Sequence, residues 1–146
     1  KVFREMQPGV AFSHGYTYSL HPVCCAVALK NLEIIEREGL VAHAATVGER
    51  MMAGLRQLDR LPGVGEVRGL GLMAAIELAA DKSGAPLPNI AQVIEKVRVR
   101  TLENGLIVRM RGNNPNISIA PPLIISEQQV DTMVNVLGEA IKSAME

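Results

Sequence analysis

Aromatic residues and a charge excess are both nearly absent from this 146-residue sequence. There is no Trp, only two Tyr and two Phe, and the 15 basic residues are balanced by 15 acidic ones. A nucleic-acid or anionic-membrane surface needs a basic excess on one face, so neither partner is expected. No apolar run approaches the roughly 20 residues of a membrane span, and no signal peptide is visible.

Cysteine is also scarce. The two cysteines, Cys24 and Cys25, are adjacent and fall within a predicted helix. Neighbouring residues on a helix point to different faces, so a disulfide between them is not expected. We interpret both as small buried thiols in a reducing compartment, and we predict a cytoplasmic location.

The composition is that of a globular domain with a real core. Apolar residues make up 48% and charged residues 21% of the chain. Helical spacing predicts helices from Pro22 to Gly39, from Leu40 to Leu61 and from Asn89 to Asn104. A fourth helix follows Ser126, which forms a capping-box pattern with Gln129. Residues 1–20 show no periodicity and are predicted to be loop or extended.

Four short runs have the character of strands. They are "GEVRGLG", "LMAAIELA", "LIVRMRG" and "NISIAPP", and the glycines of the first predict a hairpin or a bulge rather than a dinucleotide fingerprint. Paired strands between helices predict an α+β fold, with a small, mostly antiparallel sheet of about four strands and helices on one face.

The sequence gives little support for a metal site or for a catalytic Ser/His/acid triad. His14, His21 and His43 lack metal-ligand spacing, so no metal site is predicted. No Gly-x-Ser-x-Gly elbow is present, and Ser13 beside His14 has no strand-to-helix context.

The stretch "FSHGYTYSLHP" concentrates hydroxyl groups just ahead of a helix that begins at Pro22. Helix N-termini carry unsatisfied N–H groups and a partial positive charge, so Thr17 and its neighbours are candidates for an anion site. The alternative is that Thr17 and Ser19 simply cap the helix. Spacing alone favours capping by roughly two to one.

Arg109 in "GLIVRMRG" is the second candidate. If residues 106–111 form a strand, Leu106, Val108 and Met110 share one face, and Ile107, Arg109 and Arg111 share the other. The Arg109 guanidinium could then lie at a cleft and fork onto a carboxylate, or it could face solvent. The pattern alone leaves the two alternatives about even.

These blocks together resemble the C-terminal portion of the class III aminotransferases, which are pyridoxal-phosphate-dependent enzymes of fold type I. The resemblance rests on "FSHGYTYSLHPVCCAVALKNLEIIEREGL", "VRGLGLMAAIEL", "GLIVRMRG" and "SIAPPLIIS", in the family's order and spacing. It implies a tail of the large cofactor-binding domain with a linking helix over residues 1–38, and the C-terminal small domain over residues 39–146.

The resemblance also implies a homodimer with active sites at the subunit interface. Thr17 would reach the phosphate of pyridoxal 5'-phosphate in the neighbouring subunit, and Arg109 would bind the substrate carboxylate. The implied activity is transfer of an amino group between an amine or ω-amino acid and a keto acid such as pyruvate. Aminomutases, epimerases and decarboxylases of the family would look nearly the same over these residues.

Two departures from the family pattern stand out. Leu20 occupies a position where the family usually has Gly. The five lysines lie outside the family's Schiff-base context, which would precede Lys1, so the chain is expected to be a piece of a longer protein and inert alone. The rival hypothesis is a stand-alone α+β module that serves dimerisation or small-ligand binding without catalysis.

Overall fold

The computed structural model describes residues 15–110 and 112–146. The chain divides into two units, Lys1–Arg37 and Glu38–Glu146. Most of the predicted N-terminal loop, His14 included, lies outside the described residues, as does Arg111. The assignment of residues 1–38 to a large domain and of residues 39–146 to a small domain stays a prediction.

Within the described residues, four helices form where apolar spacing and end signals indicate them. They are α1 (Pro22–Arg37), α2 (Leu40–Gln57), α3 (Ile90–Glu103) and α4 (Glu127–Met145), and a short 3₁₀ turn over Leu58–Arg60 extends α2. The capping box of α4 is confirmed, because the Ser126 hydroxyl accepts from the Gln129 N–H and the Gln129 side chain accepts from the Ser126 N–H.

Helix α1 has no buried residue. Its apolar side chains Val23, Val27 and Leu29 are all exposed. The interpretation of Cys24 and Cys25 as buried was therefore wrong, since both thiols are free and exposed. The reason is that an apolar stripe buries its residues only where another element covers it, and the sequence of α1 carries no information about a cover.

Three antiparallel strands form the sheet, in the order β1 (Val64–Leu70), β2 (Met73–Leu78) and β3 (Asn116–Ile119). This confirms the α+β fold with a small antiparallel sheet. Of the fourth predicted strand, the described residues contribute a single bridge, Arg109 to Ser118. Gly105 and Gly112 flank this segment with left-handed backbone (φ +77° and +54°), so the ladder does not extend.

Strands β1 and β2 are joined by a two-residue turn, and Leu70 pairs directly with Met73 across it. Gly71 in this turn has φ +56°, a conformation that suits glycine. The register also shifts between Val64 and Glu66, which marks a bulge or irregularity. The interpretation of the glycine-rich run as a hairpin, and not a dinucleotide loop, is confirmed.

The core of the Glu38–Glu146 unit lies between one face of the sheet and helices α2, α3 and α4. Ile76 of β2 and Ile117 of β3 are directly paired on this face, and both are fully buried. They join a single apolar cluster with side chains from all three helices, among them Met51, Leu55, Val97, Leu137 and Ile141. The opposite face of the sheet, which we call the outer face, carries the polar residues of the strands.

Candidate functional site

Arg109 lies on the segment that bridges to β3. Leu106, Val108 and Met110 pack against the apolar core, whereas Ile107 and Arg109 are exposed. The predicted alternation is therefore present over residues 106–110, although the backbone forms only one bridge. That bridge is the N–H of Ser118, which donates to the carbonyl oxygen of Arg109 over 2.9 Å.

The register of the sheet places Arg109 at the end of a cross-strand row on the outer face. Arg68 of β1 pairs with Ala75 of β2, Ala75 pairs with Ser118 of β3, and Ser118 pairs with Arg109. Directly paired residues project from the same face of a sheet. The row therefore has an arginine at each end and two small residues between them, which leaves both guanidinium groups accessible from one side.

The two arginines differ in their surroundings. Arg68 donates to Glu66 Oε2 (2.8 Å), Glu77 Oε2 (2.9 Å) and Asn116 Oδ1 (2.5 Å). The hydrogen bond to Glu77 is the largest cause and raises the pKa of Arg68 above its ordinary value; desolvation opposes it, and the hydrogen bond to Glu66 raises the pKa by a smaller amount than desolvation lowers it. Sequence reasoning did not identify this cluster, although the alternation of Glu66 and Arg68 within "GEVRG" was a local signal for it.

Arg109, by contrast, has no side-chain hydrogen bond or ion pair with residues 15–110 and 112–146. A free guanidinium offers a planar fork of N–H donors that matches the two oxygens of a carboxylate. The arrangement is chemically suited to binding an external carboxylate, since no acidic side chain of the described chain occupies that position.

Thr17 lies in the turn that precedes α1, in the Lys1–Arg37 unit. The Ser19 N–H donates to the Tyr16 carbonyl (2.8 Å), and the Ser19 hydroxyl accepts from the Tyr16 N–H (2.8 Å). Ser19 therefore stabilises its own turn instead of capping the helix. The Thr17 hydroxyl is exposed and has no partner among the described residues, so the capping alternative does not describe it either.

Leu20 has φ +62°. The left-handed conformation costs a non-glycine residue roughly 1–2 kcal/mol. The turn into α1 thus keeps a backbone conformation that favours glycine, even though the residue is Leu. Its side chain is 88% exposed, so packing within the described residues offers little compensation for this strain.

A groove of about 580 Å³ opens beside the Arg109 segment. Its walls come from residues 104–108, from residues 118–125 with Pro121 and Pro122, and from the first turns of α4. Arg109 is not among the residues that line it, although its bridge partner Ser118 is. The "APP" block was noted in the sequence, but the groove could not be predicted from it, because the segments that form its walls are distant in sequence.

His43 and most of the described lysines make contacts that stabilise the fold or pair surface charges. His43 Nε2 lies 2.9 Å from the Ile125 carbonyl oxygen and so donates to it, which ties α2 to the segment before α4. Lys30, Lys82, Lys96 and Lys142 are exposed, and all but Lys96 form ion pairs with acidic neighbours. A reactive lysine needs a desolvated site, which none of these four has.

Within residues 15–110 and 112–146, no three His, Cys, Asp or Glu side chains come together in a way that could hold a metal ion. No helix in the part of the chain that the structure describes combines the length and apolar character needed to cross a membrane.

Residues 1–141 match the family model "Aminotransferase class-III". The chain belongs to the class III aminotransferase family. It is 38% identical over 152 residues to an uncharacterized aminotransferase, y4uB, of Sinorhizobium fredii, a match that covers 100% of this chain and 32% of the relative. It is 36% identical over 137 residues to the mitochondrial gamma-aminobutyrate transaminase 1 of Oryza sativa subsp. indica (93% and 26% covered).

Solved structures agree. The omega transaminase of Pseudomonas jessenii in complex with PMP superimposes with a TM-score of 0.80 at 41% identity, over 92% of this chain and 30% of that one. A thermostable (S)-enantioselective omega-transaminase of Thermomicrobium roseum gives 0.82 at 39% identity, over 94% and 31%. The chain spans less than a third of the length of these relatives.

Proposed function

We propose that this chain is the C-terminal part of a pyridoxal-phosphate-dependent transaminase. The complete enzyme would move an amino group between an amine or ω-amino acid and a keto acid such as pyruvate. Membership of the class III aminotransferase family supports the reaction class, and relatives with transaminase names support the amine and ω-amino acid donors. The observation that carries the role of this chain is the unpartnered Arg109 guanidinium on an open sheet face.

In this proposal, Arg109 binds and orients the substrate carboxylate. A guanidinium fork holds both carboxylate oxygens and so fixes the position of the group attached to them. The outer face around Arg109 offers room for such a ligand, because the neighbouring row positions are the small residues Ser118 and Ala75. Amines without a carboxylate would not use this contact.

Thr17 would bind the cofactor phosphate of the neighbouring subunit in a homodimer. The residues fit that group, since an exposed hydroxyl without a partner precedes a helix whose first N–H groups favour an anion. When bound, pyridoxal phosphate supplies the electron sink for the reaction. The reactive lysine would come from elsewhere in the complete protein, so the chain alone would bind but not catalyse.

We also include a cytoplasmic location in the proposal. The two free, exposed cysteines of α1 are compatible with a reducing compartment.

The test is substitution of Arg109 in the complete gene product. Arg109→Met should lower kcat/KM for pyruvate by about 30-fold or more, because a charge-assisted hydrogen-bond partner worth ~2 kcal/mol is lost. With an uncharged aldehyde as amino acceptor, parent and variant should be equal. Equal activity toward pyruvate would rule out the proposed role of Arg109.

The expectation that the 146-residue chain is inert alone is tested by adding pyridoxal phosphate to it. Our proposal expects no stable covalent cofactor absorbance. A band near neutral pH that one Lys substitution abolishes would contradict the claim that the chain is inert alone.

A further inference from the structure

The outer face of the sheet holds acidic side chains close to Arg109. The next row on this face lies two residue pairs from the row that ends at Arg109. In it, Glu66 of β1 pairs with Glu77 of β2, which pairs with Asn116 of β3. Glu66, Glu77 and Asn116 all contact Arg68, so they project from the same face as Arg68. Arg109 thus shares a face with two carboxylates and still has no acidic partner among the residues that the structure describes.

Glu77 is close enough for the Arg109 side chain to reach it. The hydrogen bond from Arg68 to Asn116 shows that an arginine on this face spans an equivalent offset. Arg68 bonds Asn116, which lies two strands across the sheet and two residue pairs along it. Glu77 stands in the mirror-image position relative to Arg109, also two strands across and two pairs along. Glu66 lies a further strand away, about 5 Å more distant. Glu77 is therefore the carboxylate that could compete for Arg109.

Arg68 holds Glu77 on the other side. Its Nη1 is 2.9 Å from Glu77 Oε2 and 2.8 Å from Glu66 Oε2, so one guanidinium bridges two carboxylates. Glu66 and Glu77 are direct cross-strand partners, and like charges in that arrangement repel. Without Arg68, this repulsion would drive the Glu77 side chain away from β1, in the direction of β3 and Arg109.

We propose that Arg68 is a positioning residue: by holding Glu77 against β1, it keeps the Arg109 guanidinium free for a substrate carboxylate. The inference rests on the proposed role of Arg109 in substrate binding. It adds a specificity device to that role, because loss of Arg68 would affect carboxylate substrates and not neutral ones.

The first experiment needs no catalysis. In ¹⁵N-labelled chain, the Arg109 Nε–Hε signal is assigned by its loss in Arg109→Lys, and its exchange with water is measured. Arg68→Met should slow that exchange about three- to fivefold, the size of effect a surface ion pair produces. Adding Glu77→Gln should restore the parent rate. An unchanged Arg109 signal in Arg68→Met would overturn the inference.

Two further variants serve as controls. Arg98→Met removes an Arg–Glu pair of α3, in which Arg98 Nε lies 2.8 Å from Glu95 Oε2, and it should leave Arg109 unaffected. Arg68→Lys keeps the charge but loses the planar group whose Nη1 contacts both carboxylates while Nη2 bonds Asn116, so a partial effect is expected. If Arg68→Met fails to fold, Arg68→Lys with and without Glu77→Gln decides the question: equal Arg109 exchange in both would overturn the inference.

The second experiment uses the complete enzyme. Arg68→Met should raise KM for pyruvate about three- to fivefold at unchanged kcat, with no change for an uncharged aldehyde, and Glu77→Gln should reverse the rise. If Arg109 exchange responds but KM does not, Arg109 does not bind substrate and the proposed function fails. If KM rises equally for both acceptors, or Glu77→Gln does not reverse it, Arg68 is merely structural and the inference fails.

Discussion

Two glycines of α2 give a sharp test of the packing between this helix and the β1–β2 turn. A Cβ added to Gly48 would lie 2.5 Å from the Gly71 carbonyl carbon and 2.6 Å from its Cα. A Cβ added to Gly54 would lie 3.0 Å from Cγ2 of Val134. The first contact is with backbone, and the second is with a side chain that can shift.

The magnitudes follow from two opposing effects. Replacing Gly with Ala inside a helix stabilises it by ~0.8–1 kcal/mol at either position. Forcing atoms into a filled space costs ~1–3 kcal/mol, and the upper end applies to Gly48 because the turn itself would have to move. We expect Gly48→Ala to lower the free energy of unfolding by about 1–2 kcal/mol, and Gly54→Ala to change it by less than about 0.5 kcal/mol.

The assay is urea unfolding of the 146-residue chain followed by far-UV circular dichroism, with the m-value checked for constancy. Gly54→Ala is the matched control, since helix, substitution and propensity gain are the same. If Gly48→Ala were as stable as the parent or more stable, the close approach of α2 to the Gly71 turn would be refuted.

Two other predictions concern α4. Arg50 of α2 donates to both carboxylate oxygens of Asp131, from Nε (2.9 Å) and Nη2 (2.7 Å), and this hydrogen bonding holds the pKa of Asp131 below its ordinary value of 3.8. The stabilisation is therefore complete above pH 3.8 and is lost as the pH falls through the lower, folded-state pKa. Asp131→Asn should unfold at lower urea concentration than the parent at pH 7, and the gap should close as the pH falls below 3.8 and through the folded-state pKa, whereas a gap independent of pH would contradict the pairing. Ser126→Ala should cost about 1 kcal/mol in the same assay through loss of the capping box, and Ser126→Asp, which keeps a capping oxygen, should retain most of the stability.

Much of the fold follows from local sequence signals. The helices begin and end near Pro22, Gly39, Ser126 and Gly105 because these residues determine backbone conformation or hydrogen bonding within a few positions. The alternation predicted that Arg109 lies on the face opposite Leu106, Val108 and Met110, and over residues 106–110 the structure agrees with that pattern. Periodicity indicates which side chains share a face, since that depends only on the geometry of one element.

Contacts between elements that are distant in sequence could not be predicted from local sequence signals. The run around Arg109 has strand character, yet its described residues form only one bridge, to Ser118, because a strand needs a neighbour in register and glycines on both sides turn the backbone away. The exposure of Cys24 and Cys25 likewise depends on what covers α1 and not on their own chemistry. The sequence by itself determined the elements, their faces and the two candidate residues. Only the tertiary structure brought Arg109 onto one face with Arg68 and Glu77, because cross-strand register joins it to residues more than thirty positions away.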